Sequence, residues 1–126
     1  ESEPELERDA AVSAWEVIMG KACGDEDMAT QLAMAFAEEA EQLLPAMRDQ
    51  LQAEDAVLLQ RSAHTLKGAA GCLGAERVAE AGQRLEQEAK SGDLTNAASM
   101  LDDLDSCTRR YLDEINHSPA MRPPSS

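Results

Sequence analysis

The segment around which the chain is organised spans residues 63–74 and reads AHTLKGAAGCLG. In a helix each residue advances about 100° around the axis, so His64 shares one face with Lys67 and Gly68. The other members of this face are Val57, Gln60, Arg61 and Gly71. The opposite face comprises Leu59, Ser62, Leu66, Ala69 and Leu73, with Leu58 and Ala70 at its edges. Because a helix buries such an apolar stripe, His64 is predicted to point away from the core.

Two glycines lie on the His64 face, at positions 68 and 71. In a helix interior each costs about 0.5–1 kcal/mol relative to alanine, so their presence requires a reason. The plainest reason is the close approach of another molecule. A lone histidine on a helix is most often an ordinary surface or core residue, but the adjacent glycines and Lys67 favour His64 as a functional residue.

The segment resembles the phosphorylation motif of histidine-containing phosphotransfer (HPt) domains, which reads His-x-Leu-Lys-Gly and continues with small residues, Leu and Gly. The matching residues are His64, Leu66, Lys67, Gly68, Ala69, Leu73 and Gly74. The resemblance extends from about Met28 to Ile115, since the phenylalanine-bearing helix before the motif and the Leu-Glu helix after it also match. It therefore covers most of the chain.

The resemblance implies a phosphorelay intermediate. His64 is expected to accept a phosphoryl group, through Nε2, from a phospho-aspartate on the receiver domain of a hybrid kinase. It then passes the group to the receiver of a response regulator. A neutral imidazole nitrogen attacks phosphorus without an activating base. The domain would be a phosphocarrier and not an enzyme, with no cofactor of its own and with Mg²⁺ held by the partner receiver.

The neighbours of His64 have predicted roles in this chemistry. Phosphoryl transfer depends on positioning and charge stabilisation, which a cation at Lys67 would supply. Gly68 would leave clearance for the receiver. The second ring nitrogen needs an acceptor that fixes its orientation, for which Glu86 is the first choice and Gln83 the second. The remaining face residues are assigned to partner binding: Val57, Gln60, Arg61 and Gly71.

Composition and periodicity predict an all-α fold, an antiparallel four-helix bundle over residues 28–116 with a short additional N-terminal helix. Aromatic residues are only 2% of the 126-residue chain, and the rest of its composition is typical of helices. The predicted helices span about 9–19, 28–52, 55–73, 75–90 and 94–116. In the second, Leu32, Phe36, Ala40, Leu43, Met47 and Leu51 form the core stripe, and Pro45 should kink or break the helix near Leu44.

The two ends differ from this bundle. Residues 1–8 are predicted to be an acidic linker or simply a chain end, residues 9–116 the HPt domain, and residues 117–126 a disordered tail. The chain begins without Met, which suggests an excised fragment. The acidic start and the proline-rich tail favour the C-terminal domain of a hybrid sensor kinase.

Charge and composition exclude several classes of function. The net charge of −14 argues against nucleic acid and anionic membrane surfaces as partners. No run of 18 apolar residues is present, so a cytoplasmic location is expected, which includes the cytoplasmic end of a membrane-bound kinase. The isolated domain is expected to be a monomer. A metal site is not expected, because His64, His117 and the cysteines lack ligand spacing.

Two alternatives remain open. The chain could be a non-catalytic helical docking module in which His64 is never modified. It could also be the HPt domain of a chemotaxis-type kinase, which an ATP-binding domain phosphorylates instead of a receiver.

Overall fold

The computed structural model describes residues 13–116. The predicted acidic linker, the first residues of the predicted N-terminal helix and the predicted tail lie outside the described residues. The described part contains five helices and no strand: α1 Ala14–Lys21, α2 Glu26–Gln52, α3 Ala56–Leu73, α4 Glu76–Ser91 and α5 Ala97–Asn116. The predicted all-α fold is confirmed.

Helices α2 to α5 form the antiparallel bundle. Each packs against the next along the chain, and α2 also contacts α5, which closes the ring. Helix α1 lies across one end, against α2, α3 and α5. None of the helices in residues 13–116 is both long and apolar enough to span a membrane.

Side-chain caps fix where the helices begin. The Asp25 carboxylate accepts a hydrogen bond from the Met28 backbone N–H at 3.2 Å, and Asp55 accepts from Leu58 N–H at 3.1 Å. Helix α3 ends at Gly74, whose φ of 76° is the left-handed conformation typical of a glycine that terminates a helix. A Cβ at Gly74 would lie 2.5 Å from Val17 Cγ1, so this turn also needs glycine for α1 to pack against it.

Several predicted boundaries differ from the observed ones by one to three residues. Helix α2 begins two residues earlier than predicted, and α4 is displaced by one residue at each end. Helix α5 begins at Ala97 and not at Leu94, because the Asp93 carboxylate accepts a hydrogen bond from Thr95 N–H at 3.0 Å and forms a turn there. Leu94 is half-buried in this connection.

Pro45 does not break α2, which is continuous from Glu26 to Gln52. Pro45 cannot donate to the carbonyl of Glu41, and both residues are exposed. Water can satisfy this carbonyl, so the helix tolerates the missing hydrogen bond.

The core stripe of α2 differs from the predicted one. Phe36, Ala40 and Met47 are buried as expected, but Leu32, Leu43 and Leu51 are only half-buried. Their places at the centre are taken by Ala29, Ala33 and Leu44. Small residues permit neighbouring helices to approach, so the inward face of α2 is the one that carries alanines.

Two polar residues in the apolar stripes have hydrogen-bonded hydroxyl groups. The Ser62 hydroxyl donates to Gln50 Oε1 at 2.9 Å, and the buried Thr108 hydroxyl donates to the Leu104 carbonyl at 2.7 Å. Both positions therefore belong to the core.

Candidate functional site

Helix α3 carries His64 on the surface of the bundle. Its apolar face is anchored by Leu59, Leu66 and Leu73, which are at most 2% exposed. The His64 side chain, on the other face, is 65% exposed. The burial of one face therefore fixes the outward direction of the imidazole.

Glu86 of α4 holds the imidazole by one nitrogen. The distance from His64 Nδ1 to Glu86 Oε2 is 2.9 Å. A carboxylate can only accept, so in this contact Nδ1 carries the proton and donates. In the neutral ring the lone pair then lies on Nε2, which makes no hydrogen bond with any residue in 13–116. The nucleophilic nitrogen is thus the one that faces away from Glu86.

The same carboxylate binds Lys67. Lys67 Nζ lies 2.7 Å from Glu86 Oε1 and also donates to Gln83 Oε1 at 3.1 Å. Glu86 is only 12% exposed, so it lies in the contact between α3 and α4. Lys67 lowers the pKa of Glu86, burial opposes this effect, and the contact with His64 lowers the pKa further. The Glu86 carboxylate is therefore ionised near neutral pH. It accepts a hydrogen bond from His64 Nδ1 and forms an ion pair with Lys67 at the same time.

Gly82 allows α4 to bring Glu86 and Gln83 this close. A Cβ added at Gly82 would lie 3.2 Å from Lys67 Cβ and 3.5 Å from the Ala63 carbonyl oxygen. The first distance is shorter than most that a real Cβ makes, whereas the second is an ordinary van der Waals contact. The absence of a side chain at Gly82 therefore sets the spacing of the two helices at the site.

The surface beside His64 is open. A Cβ added at Gly68 or at Gly71 would have nothing within 4 Å. Val57 and Leu58 at the start of α3 are 59% and 43% exposed. The result is a shallow surface of bare backbone and apolar side chains on the His64 side of α3.

The structure brings four of the predicted site residues into contact: His64, Lys67, Gln83 and Glu86. The predicted partner-binding residues share the outward face of α3. Val57, Arg61, Gly68 and Gly71 are exposed, whereas Gln60 is half-buried.

Two features of the site were missed at the level of sequence. Glu86 was considered only for the imidazole, although its second oxygen pairs with Lys67. The available signal was the three-residue spacing of Gln83 and Glu86, which puts both on one edge of α4. Leu58 was placed beside the core stripe, yet it is exposed because it lies in the first turn of α3.

No group of three His, Cys, Asp or Glu side chains in residues 13–116 is arranged to hold a metal ion. The Glu86 carboxylate is paired with both His64 and Lys67.

The family model of the Hpt domain matches residues 31–117. The chain belongs to the Hpt domain family. The resemblance found in the motif is therefore confirmed, and all four residues of the contact network lie within the matched part of the Hpt domain.

A solved structure agrees with this membership. The chain is similar to the crystal structure of histidine-containing phosphotransfer protein B from Pseudomonas aeruginosa PAO1, with a TM-score of 0.73 and 26% sequence identity. The similarity covers 78% of this Hpt domain chain and 85% of that chain. No curated protein sequence matches the chain significantly.

Proposed function

We propose that the chain is a phosphorelay intermediate in which His64 Nε2 accepts a phosphoryl group from the phospho-aspartate of one receiver domain and passes it to the aspartate of a second. Membership of the Hpt domain family and the similarity to a histidine-containing phosphotransfer protein support this proposal. The domain acts as a carrier of the group between two partners.

The observation that carries the proposal is the contact between His64 Nδ1 and Glu86 at 2.9 Å. It leaves the Nε2 lone pair free on a side chain that is 65% exposed. In the transfer, the Nε2–P bond forms as the P–O bond to the donor aspartate breaks, and the donor leaves as a carboxylate. The ring keeps its Nδ1 proton and becomes positively charged. The Glu86 carboxylate stabilises this charge.

Lys67 is assigned to the phosphoryl oxygens. Lys67 Nζ forms an ion pair with Glu86 and donates one N–H to Gln83 Oε1, and an ammonium group has three N–H donors. A remaining N–H is available to a phosphoryl oxygen on the neighbouring imidazole. Glu86 and Gln83 act as positioning residues, since they hold the ring of His64 and the ammonium group of Lys67.

The receivers are expected to dock on the open face of α3. Gly68 and Gly71 provide the space for their loops, and Val57 and Arg61 flank it. Gln60, which is half-buried, contributes from the edge of this face. Mg²⁺ is expected to be held by the receiver, where it would neutralise charge on the phosphoryl oxygens and on the departing carboxylate.

The proposal also includes the proteins that donate and accept the phosphoryl group. The donor receiver would belong to a hybrid sensor kinase, with this domain at its cytoplasmic end, and the acceptor would be a response regulator. A single bundle that closes its own ring of helices needs no second copy, so a monomer is expected.

A transfer assay tests the proposal. A receiver carrying labelled phosphate is freed of excess donor and mixed with the chain and Mg²⁺. We expect acid-labile, alkali-stable label on the wild-type chain, none on His64→Gln, and slower labelling of Lys67→Ala. His117→Gln is the matched control, because the chain has only two histidines, and it should be labelled like the wild type.

Each other outcome points to a different function. Receivers that bind the chain without transferring label would favour the docking module. Label that appears only with an ATP-binding kinase domain would favour the chemotaxis-type domain. Label that survives in His64→Gln would refute the assignment of the phosphoacceptor.

A further inference from the structure

A groove of about 370 Å³ runs between α4 and α5, along the edge of α4 that faces away from α3. Three arginines line it: Arg77 and Arg84 from α4 and Arg110 from α5. The carboxylates in the lining are Glu80 and Asp103. The groove is therefore locally cationic by one charge in a chain whose net charge is −14.

None of the three groove arginines forms an ion pair or hydrogen bond with another residue in 13–116. Other arginines of the bundle do so. Arg48 lies 2.8 Å from Asp102, and Arg109 lies 2.6 Å from Asp105. The groove thus presents three exposed guanidinium groups with unused donors, which fit an anionic occupant.

The N-terminal segment has the matching charge pattern. Residues 1–9 read ESEPELERD, with an acid at every odd position from Glu1 to Asp9. In an extended chain alternate side chains point to the same side, so all five carboxylates would form one row. A linker that only needs to be soluble does not require this alternation.

The segment also enters the structure at the correct place. The Ala14 backbone N–H lies 3.4 Å from Glu114 Oε2 at the start of α1. Glu114 is one helical turn beyond Arg110 on α5, so the described part of the chain begins next to one end of the groove. Nine extended residues span about 30 Å, whereas the sixteen residues of α4 span about 24 Å, so the segment is long enough.

The spacing of charges is compatible with pairing. Carboxylates two residues apart in an extended segment lie about 7 Å apart, and those four apart about 13 Å. Arg77 and Arg84 are separated by about 10.5 Å along the axis of α4, which lies between these values. Arginine side chains are long enough to bridge the remaining difference between the carboxylate and arginine spacings. Because a single exposed ion pair contributes little, docking requires several pairs together with the tether.

We propose that residues 1–9 dock in the α4–α5 groove of the same chain, with carboxylates from alternate positions paired to Arg77, Arg84 and Arg110. The segment then leaves the outward face of α3 open, because α4 separates the groove from His64. Any part of a protein that precedes residue 1 would start from the α4–α5 side of the bundle.

Nuclear magnetic resonance of the full chain tests this proposal through the arginine Nε–Hε signals. Replacing the five odd-numbered acids with Gln or Asn should shift the signals of Arg77, Arg84 and Arg110, while Arg109 serves as the internal control. Raising the salt concentration from about 0.01 M to about 1 M shortens the screening length from about 30 Å to about 3 Å and should cause the same shifts.

The reverse substitution provides the second measurement. Changing Arg77, Arg84 and Arg110 together to Gln should lower the heteronuclear relaxation values of the backbone amides of residues 3 and 5–9, with Lys90→Gln as the control on α4 outside the groove. Unchanged arginine signals in the acid-replaced chain would overturn the proposal. Shifts that grow with protein concentration would also overturn it, because they would indicate the segment of a second copy.

Discussion

Glycines on the two sides of α3 have opposite roles: Gly82 belongs to the neighbouring helix α4, whereas Gly68 and Gly71 belong to α3 itself. Toward α4, Gly82 is buried, and a Cβ there would lie 3.2 Å from Lys67 Cβ. Toward solvent, Gly68 and Gly71 are exposed, and a Cβ at either would meet nothing within 4 Å. The first glycine is needed by the fold itself, whereas nothing within the described bundle requires the other two.

This difference separates assembly of the site from access to it. The close approach at Gly82 brings Glu86 within 2.9 Å of His64 and 2.7 Å of Lys67. Gly68 and Gly71 lower the stability of the helix, and no contact within the described bundle compensates for this loss. Substitutions on the two sides should therefore separate stability from transfer.

The largest effect is expected from the same substitution made on each side. Gly82→Gln should lower the free energy of unfolding by about 1–3 kcal/mol, because overpacking between α3 and α4 outweighs the gain in helix propensity. Gly68→Gln should raise it by about 0.5–1 kcal/mol, since its side chain extends into solvent. Urea unfolding of both variants measures the difference.

The far-ultraviolet circular dichroism of both folded variants serves as the control, because each should remain helical. Equal stability of the two variants would contradict the comparison. It would mean that α4 moves away from α3 at little cost.

A smaller effect is expected from alanine on the open side. Gly68→Ala and Gly71→Ala should each raise the free energy of unfolding by about 0.5–1 kcal/mol, because both positions are interior to α3. In the transfer assay, Gly68→Ala should increase the receiver concentration needed for half-maximal rate, since the new methyl group lies one turn from His64. Gly71→Ala, two turns away, should have a weaker effect.

Stability and transfer are measured on the same preparations, by urea unfolding and by initial rates over a range of receiver concentrations. If both variants are more stable and bind the receiver as the wild type does, the open backbone is not used for docking.

The helices and their outward and inward faces were largely predictable from sequence. The three- and four-residue spacing of apolar residues, the caps at Asp25 and Asp55 and the stop at Gly74 are local signals. The core of α2 was harder to predict, because hydrophobicity favours Leu32 and Leu43, whereas close packing selects the face with Ala33. That choice depends on the neighbouring helices, which the periodicity of one helix does not describe.

The site likewise combines a feature that one helix predicts with features that depend on packing between helices. The outward direction of His64 follows from the apolar stripe of its own helix. The contacts of Glu86 depend on the rotation of α4 against α3, which Gly82 fixes through a tertiary contact. The groove arginines were not recognised, because Arg84 and Arg110 line one groove only through the register of α4 on α5.

The smallest predicted effect concerns the pH dependence of the Lys67–Glu86 pair, which exists because Gly82 lets the helices approach. The pKa of Glu86 is lowered below its ordinary 4.5 in the folded chain, first by Lys67. A lowered folded pKa means that the pair stabilises the fold at higher pH. The contribution is lost as the pH falls below 4.5 and through the folded pKa.

We therefore expect Glu86→Gln to lower the free energy of unfolding by at most about 1 kcal/mol near pH 7, with a difference that shrinks as the pH falls below about 4.5. Measuring in the His64→Gln background isolates Lys67 as the partner, and Lys67→Met should remove the difference. Adding Gly82→Gln should also remove it, if the spacing of α3 and α4 controls the pair. A difference that persists in the Gly82→Gln background would show that Glu86 reaches Lys67 without the close approach of the helices, and Gly82 would then be required only for packing.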